Sequence, residues 1–245
     1  LVSGETWQAA QDGSIYFNDI QLGERVDARK CASNFHEVKV EDFGYDNLVC
    51  ANTLPIREKE TFDAKLMVTP NGEKVLDFGQ NMAGYVSFEL EAKAGQALKF
   101  TYGECLDAEG NFYDGNLQTI GRKQELHQVV EYICKDGLNQ YTPTLCIFGF
   151  QLVKVETEIE ITGAEFTAHA VYSDMEQTAE FECGSQLVNQ LVKNTVWSQK
   201  SNFVDVPTDC PQRERSGWTG DAGVFANMGL MLMDSYPIFS RWLSE

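Results

Sequence analysis

Basic residues are scarce in this chain. Its 245 residues include 19 Lys and Arg against 37 Asp and Glu, which gives a formal net charge of −18 and a pI near 4.5. Phosphate groups and anionic headgroups would be repelled, so this balance argues against nucleic acids and membrane surfaces as partners. Neutral ligands such as sugars remain open.

Metal-binding patterns are also lacking. The three histidines, His36, His127 and His169, stand far apart, and the seven cysteines include no CxxC pair. We therefore assign no metal and no cofactor, and interpret the histidines as packing or surface residues. An odd, dispersed set of cysteines suits a reducing compartment, which predicts free, mostly buried thiols and a cytoplasmic location.

Long apolar runs are missing too. No run approaches the roughly 18 residues of a membrane span, and no basic segment followed by an apolar stretch opens the chain. The first residue is Leu1 rather than Met, and the last ten residues continue a helical pattern without a stop signal. We expect a fragment that lacks both ends.

The first two thirds of the chain show the apolar–polar alternation that is typical of strands. Turn signals such as Asn71-Gly72 and Gly95 separate the alternating stretches. Examples of these stretches are "GSIYFNDIQL", "YVSFELEA" and "QALKFTYGE". Short strands at regular spacing predict a β-sandwich.

The pattern changes at Ser185, a plausible helix N-cap, after which apolar residues recur at helical spacing. A second helical face runs from Ala222 to Met233, and Pro237 suits the first turn of a third helix. Three helices with an apolar surface do not close a core alone, so the helical part looks cut off.

These patterns predict a multidomain β plus α protein in which β-sandwich domains precede a helical domain. We place the end of an N-terminal β domain at residues 1–54 and a β-sandwich at 55–165. A linker at 166–184 leads into the truncated helical domain at 185–245.

Between the first two predicted helices lies "DVPTDCPQRERSGWTGD", from Asp205 to Asp221. Glycoside hydrolysis needs a carboxylic acid and a second carboxylate, and this loop is rich in such groups. Glu214, flanked by two arginines, is a candidate acid. Asp209 and Asp221 could accept hydrogen bonds from vicinal sugar hydroxyls, and Trp218 offers a flat apolar face to the ring.

The alternative is a solvated loop in which Arg213 and Arg215 pair with Asp209 and Asp221 and nothing reacts. The residues alone leave both interpretations open, although Pro, Gly and Trp between two helices favour a functional loop.

A second stretch, "DFGQNMAGY", carries Asp77, Gln80 and Asn81, which could bind a sugar. Its two glycines favour a structural interpretation, namely a tight turn or bulge within a strand.

The Asp205 to Asp221 stretch resembles the signature of bacterial α-L-rhamnosidases of glycoside hydrolase family 78. Other segments resemble the same family in the same order: "FNDIQLGERVDAR", "LDFGQNMAGYVSFEL", "YGECLDAEGNFYDGNL", "FGFQLVKVE" and "FECGSQLVNQLVKNTVWSQKSNF". The resemblance implies β-sandwich domains ahead of the first helices of an (α/α)6 barrel. It also implies an inverting site that removes terminal α-L-rhamnose from a glycoside or oligosaccharide.

By this resemblance Glu214 takes the place of the general acid, while Asp209, Trp218 and Asp221 match positions that hold the sugar. The chain has one residue fewer before the glutamate than members that read RDER. The family's general base lies on a later barrel loop, so we predict that these 245 residues alone are inactive.

Two other functions compete with this one. The first is a non-catalytic carbohydrate-binding module, and the second is another inverting (α/α)6-barrel glycosidase, because a fold does not determine the sugar.

Overall fold

The structure, a computed structural model, describes residues 4–117 and 128–244, so His127 lies outside the described residues. The strands before residue 118 are β1 Gln8–Ala9, β2 Ile15–Asp19, β3 Gly23–Asp27, β4 His36–Glu37, β5 Ile56–Asp63, β6 Lys65–Val68, β7 Lys74–Ala92, β8 Ala97–Gly103, β9 Cys105–Leu106 and β10 Phe112–Tyr113. After residue 127 come β11 Val129–Ile133, β12 Gly137–Tyr141, β13 Phe148–Thr157, β14 Phe166–Ser173, β15 Phe203–Val204 and β16 Val206–Pro207. The helices are α1 Gln186–Asn202, α2 Thr219–Leu232 and α3 Tyr236–Trp242, with a 3₁₀ turn at Gly115–Leu117.

A ten-stranded sheet dominates the first part of the molecule. Its main path runs β2-β3-β11-β8-β13-β7-β14-β5, and both β6 and β12 also pair with β7. The pairing is antiparallel except between β11 and β3, which run parallel. This curled sheet confirms the predicted β-sandwich type of architecture.

Strand β7 carries the "DFGQNMAGY" stretch and organises the sheet around it. Its first part pairs with β6 and β13, and its second part pairs with β14 and β12. Gly79 has φ +73°, opposite a register shift between Phe150 and Leu152 of β13. Gly84 lies so close to β14 that an added Cβ would be 1.9 Å from the His169 carbonyl oxygen. Gly79 thus lies at the bulge that the sequence predicted, whereas Gly84 has a different structural role, since it permits the close approach of two strands.

Aromatic side chains fill the centre of the sheet domain. Tyr102, Phe100, Phe148, Phe150 and Phe166 are all less than 2% exposed. The Tyr102 and Phe148 rings stack with centroids 4.1 Å apart, and Phe150 meets Tyr102 edge to face at 4.9 Å. Each such side chain contributes about 1.5–3 kcal/mol through burial, so this cluster stabilises the domain.

The sheet differs from the predicted domain boundaries at both ends. β2 and β3 lie within the predicted N-terminal domain at 1–54, yet β3 pairs with β11 along its whole length. β14 falls within the predicted linker at 166–184, yet it is a largely buried strand between β7 and β5. These pairings join residues far apart in sequence, so local patterns give no sign of them.

The helices agree with the predicted positions. Ser185 precedes α1, and Pro237 lies in the first turn of α3. None of the described helices is both long and apolar enough to cross a membrane. On the sheet side of α1, the Trp197 ring meets Phe62 at 5.8 Å, and Lys200 Nζ lies 2.6 Å from a Glu60 oxygen. This packing fixes the end of α1, from which the loop toward α2 emerges.

All seven cysteines are free thiols, but the interpretation that they are mostly buried is wrong. Only Cys134 and Cys146 are buried, because they face the sheet core. Cys31, Cys50 and Cys105 are exposed.

The two buried thiols should react much more slowly than the exposed ones. Burial raises the pKa of Cys134 to about 11 and that of Cys146 to about 12, each from 9.0. Because the thiolate is the reactive form, a rise of two units lowers its fraction near pH 8 by roughly 100-fold. Alkylation followed by peptide mass spectrometry should show this difference in the native protein and its loss in denaturant. Equal native rates at Cys134 and Cys105 would contradict the structure.

Candidate active site in the loop between the first two helices

The candidate loop starts from a short hairpin of β15 and β16. At its tip Asp205 has φ +73°, and its backbone N–H donates to Ser173 Oγ at 3.0 Å. Arg241 of α3 forms an ion pair with the Asp205 carboxylate. The hairpin is therefore held by both the sheet and the third helix.

Beyond the hairpin, short-range bonds close the loop. The Asp209 N–H donates to Ser216 O at 3.0 Å, and the Ser216 N–H donates to Asp209 Oδ1 at 3.1 Å. Glu214 N–H donates to Cys210 Sγ at 3.2 Å. At Gly217 a Cβ would lie 2.8 Å from Trp242 Nε1, so α3 packs directly against the loop.

The Glu214 carboxylate is held by two donors. Arg213 Nη2 donates to Oε1 at 3.0 Å, and Trp218 Nε1 donates to Oε2 at 3.2 Å. The Glu214 side chain is 34% exposed and that of Arg213 39%, so the carboxylate faces solvent at the edge of the loop. Since Trp218 is four residues from Glu214, the local sequence brings the two together.

Neither arginine makes the pairs expected of a solvated charged loop. Arg213 pairs with Glu214, and Arg215 donates to the Ile20 carbonyl and to Gln128 Oε1. Within residues 4–117 and 128–244, neither forms an ion pair with Asp209 or Asp221. The alternative interpretation predicted that these arginines pair with Asp209 and Asp221, and that prediction is wrong.

Asp209 and Asp221 line one cavity of about 440 Å³ between α1 and α2. Asn202 and Thr208 add polar groups to its wall, and Phe225 adds an apolar surface. A few polar groups in a partly apolar concave wall are typical of small-ligand sites. Asp221 also lies in the first turn of α2, where a negative charge is stabilised by the helix dipole.

The four predicted site residues thus form two pairs. Asp209 and Asp221 share the cavity, whereas Glu214 and Trp218 are joined by a hydrogen bond and do not line that cavity. The Asp209 to Ser216 bonds link the two pairs through the loop.

The sequence interpretation missed several residues that hold this loop from outside. Glu104, Gln128 and Gly149 of the sheet domain contact Gln212 or Arg215. They are dozens of residues away along the chain, so spacing gives no signal for them. Among residues 4–117 and 128–244 there is no group of three or more metal-ligating side chains.

A sheet domain followed by helices, with a carboxylate-rich loop between the first two helices, fits the multidomain architecture that the sequence predicted. Residues 67–172 match the bacterial alpha-L-rhamnosidase concanavalin-like domain, and residues 176–245 match the bacterial alpha-L-rhamnosidase 6 hairpin glycosidase domain. The chain belongs to the bacterial α-L-rhamnosidase family, which confirms the resemblance seen in the loop sequence.

Known relatives align along the whole chain. An alpha-L-rhamnosidase of Streptomyces avermitilis is 32% identical over 100% of this chain, and one of Formosa agariphila is 29% identical over 99%. The crystal structure of the Streptomyces avermitilis enzyme complexed with L-rhamnose superimposes with a TM-score of 0.86 over 99% of this chain and 24% of its own. The crystal structure of a native rhamnosidase from Aspergillus terreus, 28% identical, superimposes with a TM-score of 0.86 over 100% of this chain and 29% of its own. The chain therefore spans about a quarter of the length of these relatives.

Proposed function

We propose that the complete protein hydrolyses terminal α-L-rhamnosides and that Glu214 is the general acid. The observation that carries this proposal is the placement of Glu214 between Arg213 and Trp218, in the loop whose Asp209 lines the cavity beside α2. The relative of known structure with L-rhamnose bound supports the choice of sugar. The substrate class is a rhamnose-containing glycoside or oligosaccharide.

In this mechanism Glu214 gives a proton to the glycosidic oxygen as the bond to the sugar breaks. Each carboxylate oxygen accepts one donor, which leaves a second lone pair on each oxygen for the proton. The bond from Trp218 is the longer one at 3.2 Å, and Trp218 is 53% exposed, so this bond opens more easily than the one from Arg213.

Inversion also requires a second carboxylate that activates water, roughly 6.5–9.5 Å from the acid. We assign this base to none of the described residues. Asp209 and Asp221 instead hold sugar hydroxyls in this proposal. Asp209 Oδ1 already accepts the Ser216 N–H, which leaves Oδ2 for a hydroxyl. The exposed indole of Trp218 offers a face to the sugar ring.

A panel of aryl glycosides tests the proposal on the complete protein. We expect kcat/KM for the α-L-rhamnoside to exceed that for α-L-fucosyl, β-D-glucosyl and α-D-mannosyl analogues by roughly 100-fold or more, because misplaced hydroxyls leave buried polar groups unpaired. The 245-residue chain alone, run beside it, should show no turnover.

Other outcomes of the panel identify the competing functions. Preference for a different sugar would favour another inverting barrel glycosidase. Binding of rhamnosides without turnover by the complete protein would favour a carbohydrate-binding module. Turnover by the 245-residue chain would overturn the assignment of the base to a later barrel loop.

A further inference from the structure

We infer that the sheet domain positions the general acid through a set of contacts that we call the loop anchor. The loop anchor consists of Glu104, Gln128 and Gly149 on the sheet side and Gln212 and Arg215 on the loop side. This inference rests on the proposed role of Glu214. It makes the anchor side chains positioning residues, since they act through Glu214 and do not touch the substrate.

The first arm is Arg215, the residue after Glu214. Its guanidinium donates to the Ile20 carbonyl, to Gln128 Oε1 at 3.1 Å and to the Gln212 carbonyl at 3.4 Å, and it lies 5.9 Å from the Phe148 ring centroid. Its backbone has φ +53°, a left-handed conformation that is uncommon outside glycine. The side chain thus points back into the sheet domain while Glu214 faces outward.

Gln128 gives this arm a rigid end. It is 0% exposed, and its Oε1 also accepts the Gly149 N–H at 2.7 Å. Its Nε2 donates to the carbonyls of Gly149 and Tyr102 at 3.0 and 3.3 Å. A side chain fixed by the backbone of two strands cannot follow a moving loop, so it holds Arg215 in one place.

The second arm is Gln212, two residues before Glu214. Gln212 Nε2 donates to Glu104 Oε2 at 3.0 Å. The same carboxylate accepts Asn116 Nδ2 at 3.1 Å on Oε2 and Asn81 Nδ2 at 3.1 Å on Oε1. Two amide donors from separate elements of the sheet domain, Asn81 and Asn116, therefore fix the Glu104 carboxylate that accepts Gln212.

Between the two arms the loop backbone rests directly on β13. A Cβ on Gly149 would lie 2.8 Å from Gln212 N and 2.8 Å from the Pro211 carbonyl carbon. Gln21 Nε2 adds a long contact of 3.4 Å to the Glu214 carbonyl. The residues on both sides of Glu214 are thus tied to the sheet domain.

The buried cation of Arg215 indicates that this contact serves to hold the loop in one position. Burial lowers the pKa of Arg215 to about 10, because the cation loses hydration there. A neutral residue would cap a simple turn at lower cost, since an ionised group is expensive to remove from water. A misplacement of about 1 Å at a catalytic group can cost roughly 100-fold in rate.

The test uses Arg215→Met, Gln212→Met and Gly149→Ala in the complete protein, with two aryl α-L-rhamnosides. For the substrate with a poor leaving group, kcat should fall by roughly 10–100-fold while KM stays within about threefold. The second substrate has a dinitrophenyl leaving group, which needs little protonation, so its kcat should fall by less than about threefold. In a Glu214→Gln background the same changes should add less than about threefold, because they act through the missing acid.

Matched controls separate positioning from folding. Arg57→Met removes an arginine that is 62% exposed and lies on β5, and Gly184→Ala adds a Cβ with nothing within 4 Å. Both should leave activity unchanged. Equal losses on the two substrates, or an undiminished loss in the Glu214→Gln background, would overturn the inference. If Arg215→Met does not fold, Gln212→Met at its half-buried position carries the test.

A measurement independent of activity separates this inference from the proposed function. Hydrogen exchange of the loop amides at Asp209, Glu214 and Ser216, which are bonded within the loop, should quicken by about tenfold or more in the anchor variants and not in the controls. Unchanged exchange in the anchor variants would refute the loop anchor, whichever glycoside the complete protein hydrolyses. An unaltered protein that cleaves no rhamnoside would refute the proposed function alone.

Discussion

Glu214→Gln in the complete protein should lower kcat/KM for rhamnosides with poor leaving groups by roughly 10²–10⁴-fold. The amide keeps the shape of the side chain but has no acidic proton to give to the departing oxygen. Substrates with activated leaving groups should lose much less, since their leaving groups need little protonation in the transition state. Steady-state kinetics on a series of aryl α-L-rhamnosides of increasing leaving-group pKa measures this asymmetry.

The surroundings of Glu214 sharpen this expectation. Arg213 and Trp218 donate to separate oxygens of the carboxylate. A glutamine keeps one acceptor oxygen and turns a donor NH₂ toward the other N–H group, so one of the two contacts is lost. Activity on a natural-type rhamnoside within a few-fold of the unaltered protein would show that the acid lies elsewhere in the molecule.

Asp221→Asn is the matched contrast to Glu214→Gln. Asp221 lines the cavity in the first turn of α2 and has no proton-donating role in the proposed mechanism. Loss of a carboxylate that holds the sugar should weaken both kinds of substrate by a similar factor. The two variants must therefore give different dependences on the leaving group if each residue has its proposed role.

Local features of the fold could be predicted because local chemistry determines them. The start of α1 after Ser185, the position of Pro237 in α3 and the positive φ of Gly79 follow from nearby residues. The full extent of the sheet could not be predicted in this way. The parallel pairing of β3 with β11 joins residues about a hundred positions apart, and such pairing depends on which strands are available in the folded chain.

The candidate site likewise has features that the local sequence predicts and features that depend on tertiary packing. Glu214 and Trp218 are four residues apart and were placed together by sequence alone. The shared cavity of Asp209 and Asp221 requires α1 and α2 to pack, and the support of Arg215 by Gln128 crosses 87 positions. Composition also misled the interpretation of the cysteines, since burial of a thiol depends on its strand and face rather than on the number of thiols.

Gly84→Ala should destabilise the sheet domain by about 3–5 kcal/mol, among the largest effects of a single methyl group. The added Cβ would lie 1.9 Å from the His169 carbonyl oxygen and 2.9 Å from its carbonyl carbon. Both atoms belong to the backbone of β14, so no side-chain rotation relieves the clash.

The cost is large because Gly84 lies in the middle of the sheet, paired with Ala170 of β14 on one side and Phe148 of β13 on the other. If β14 moves away, the pairs Tyr85 to His169 and Val86 to Ala168 open as well. Each lost backbone hydrogen bond costs about 1 kcal/mol, and the opening lets water reach the aromatic core.

Thermal unfolding and hydrogen exchange in the complete protein measure the effect of Gly84→Ala. A loss of about 3 kcal/mol in a domain of this size lowers Tm by roughly 6–12 °C, with the fastest new exchange in β7 and β14. Gly13→Ala is the matched control, because a Cβ there has nothing within 4 Å and Tm should stay within about 2 °C. Equal Tm values for the two variants would show that the β14 backbone at His169 moves at little energetic cost. The close approach of β7 and β14 would then contribute little to stability.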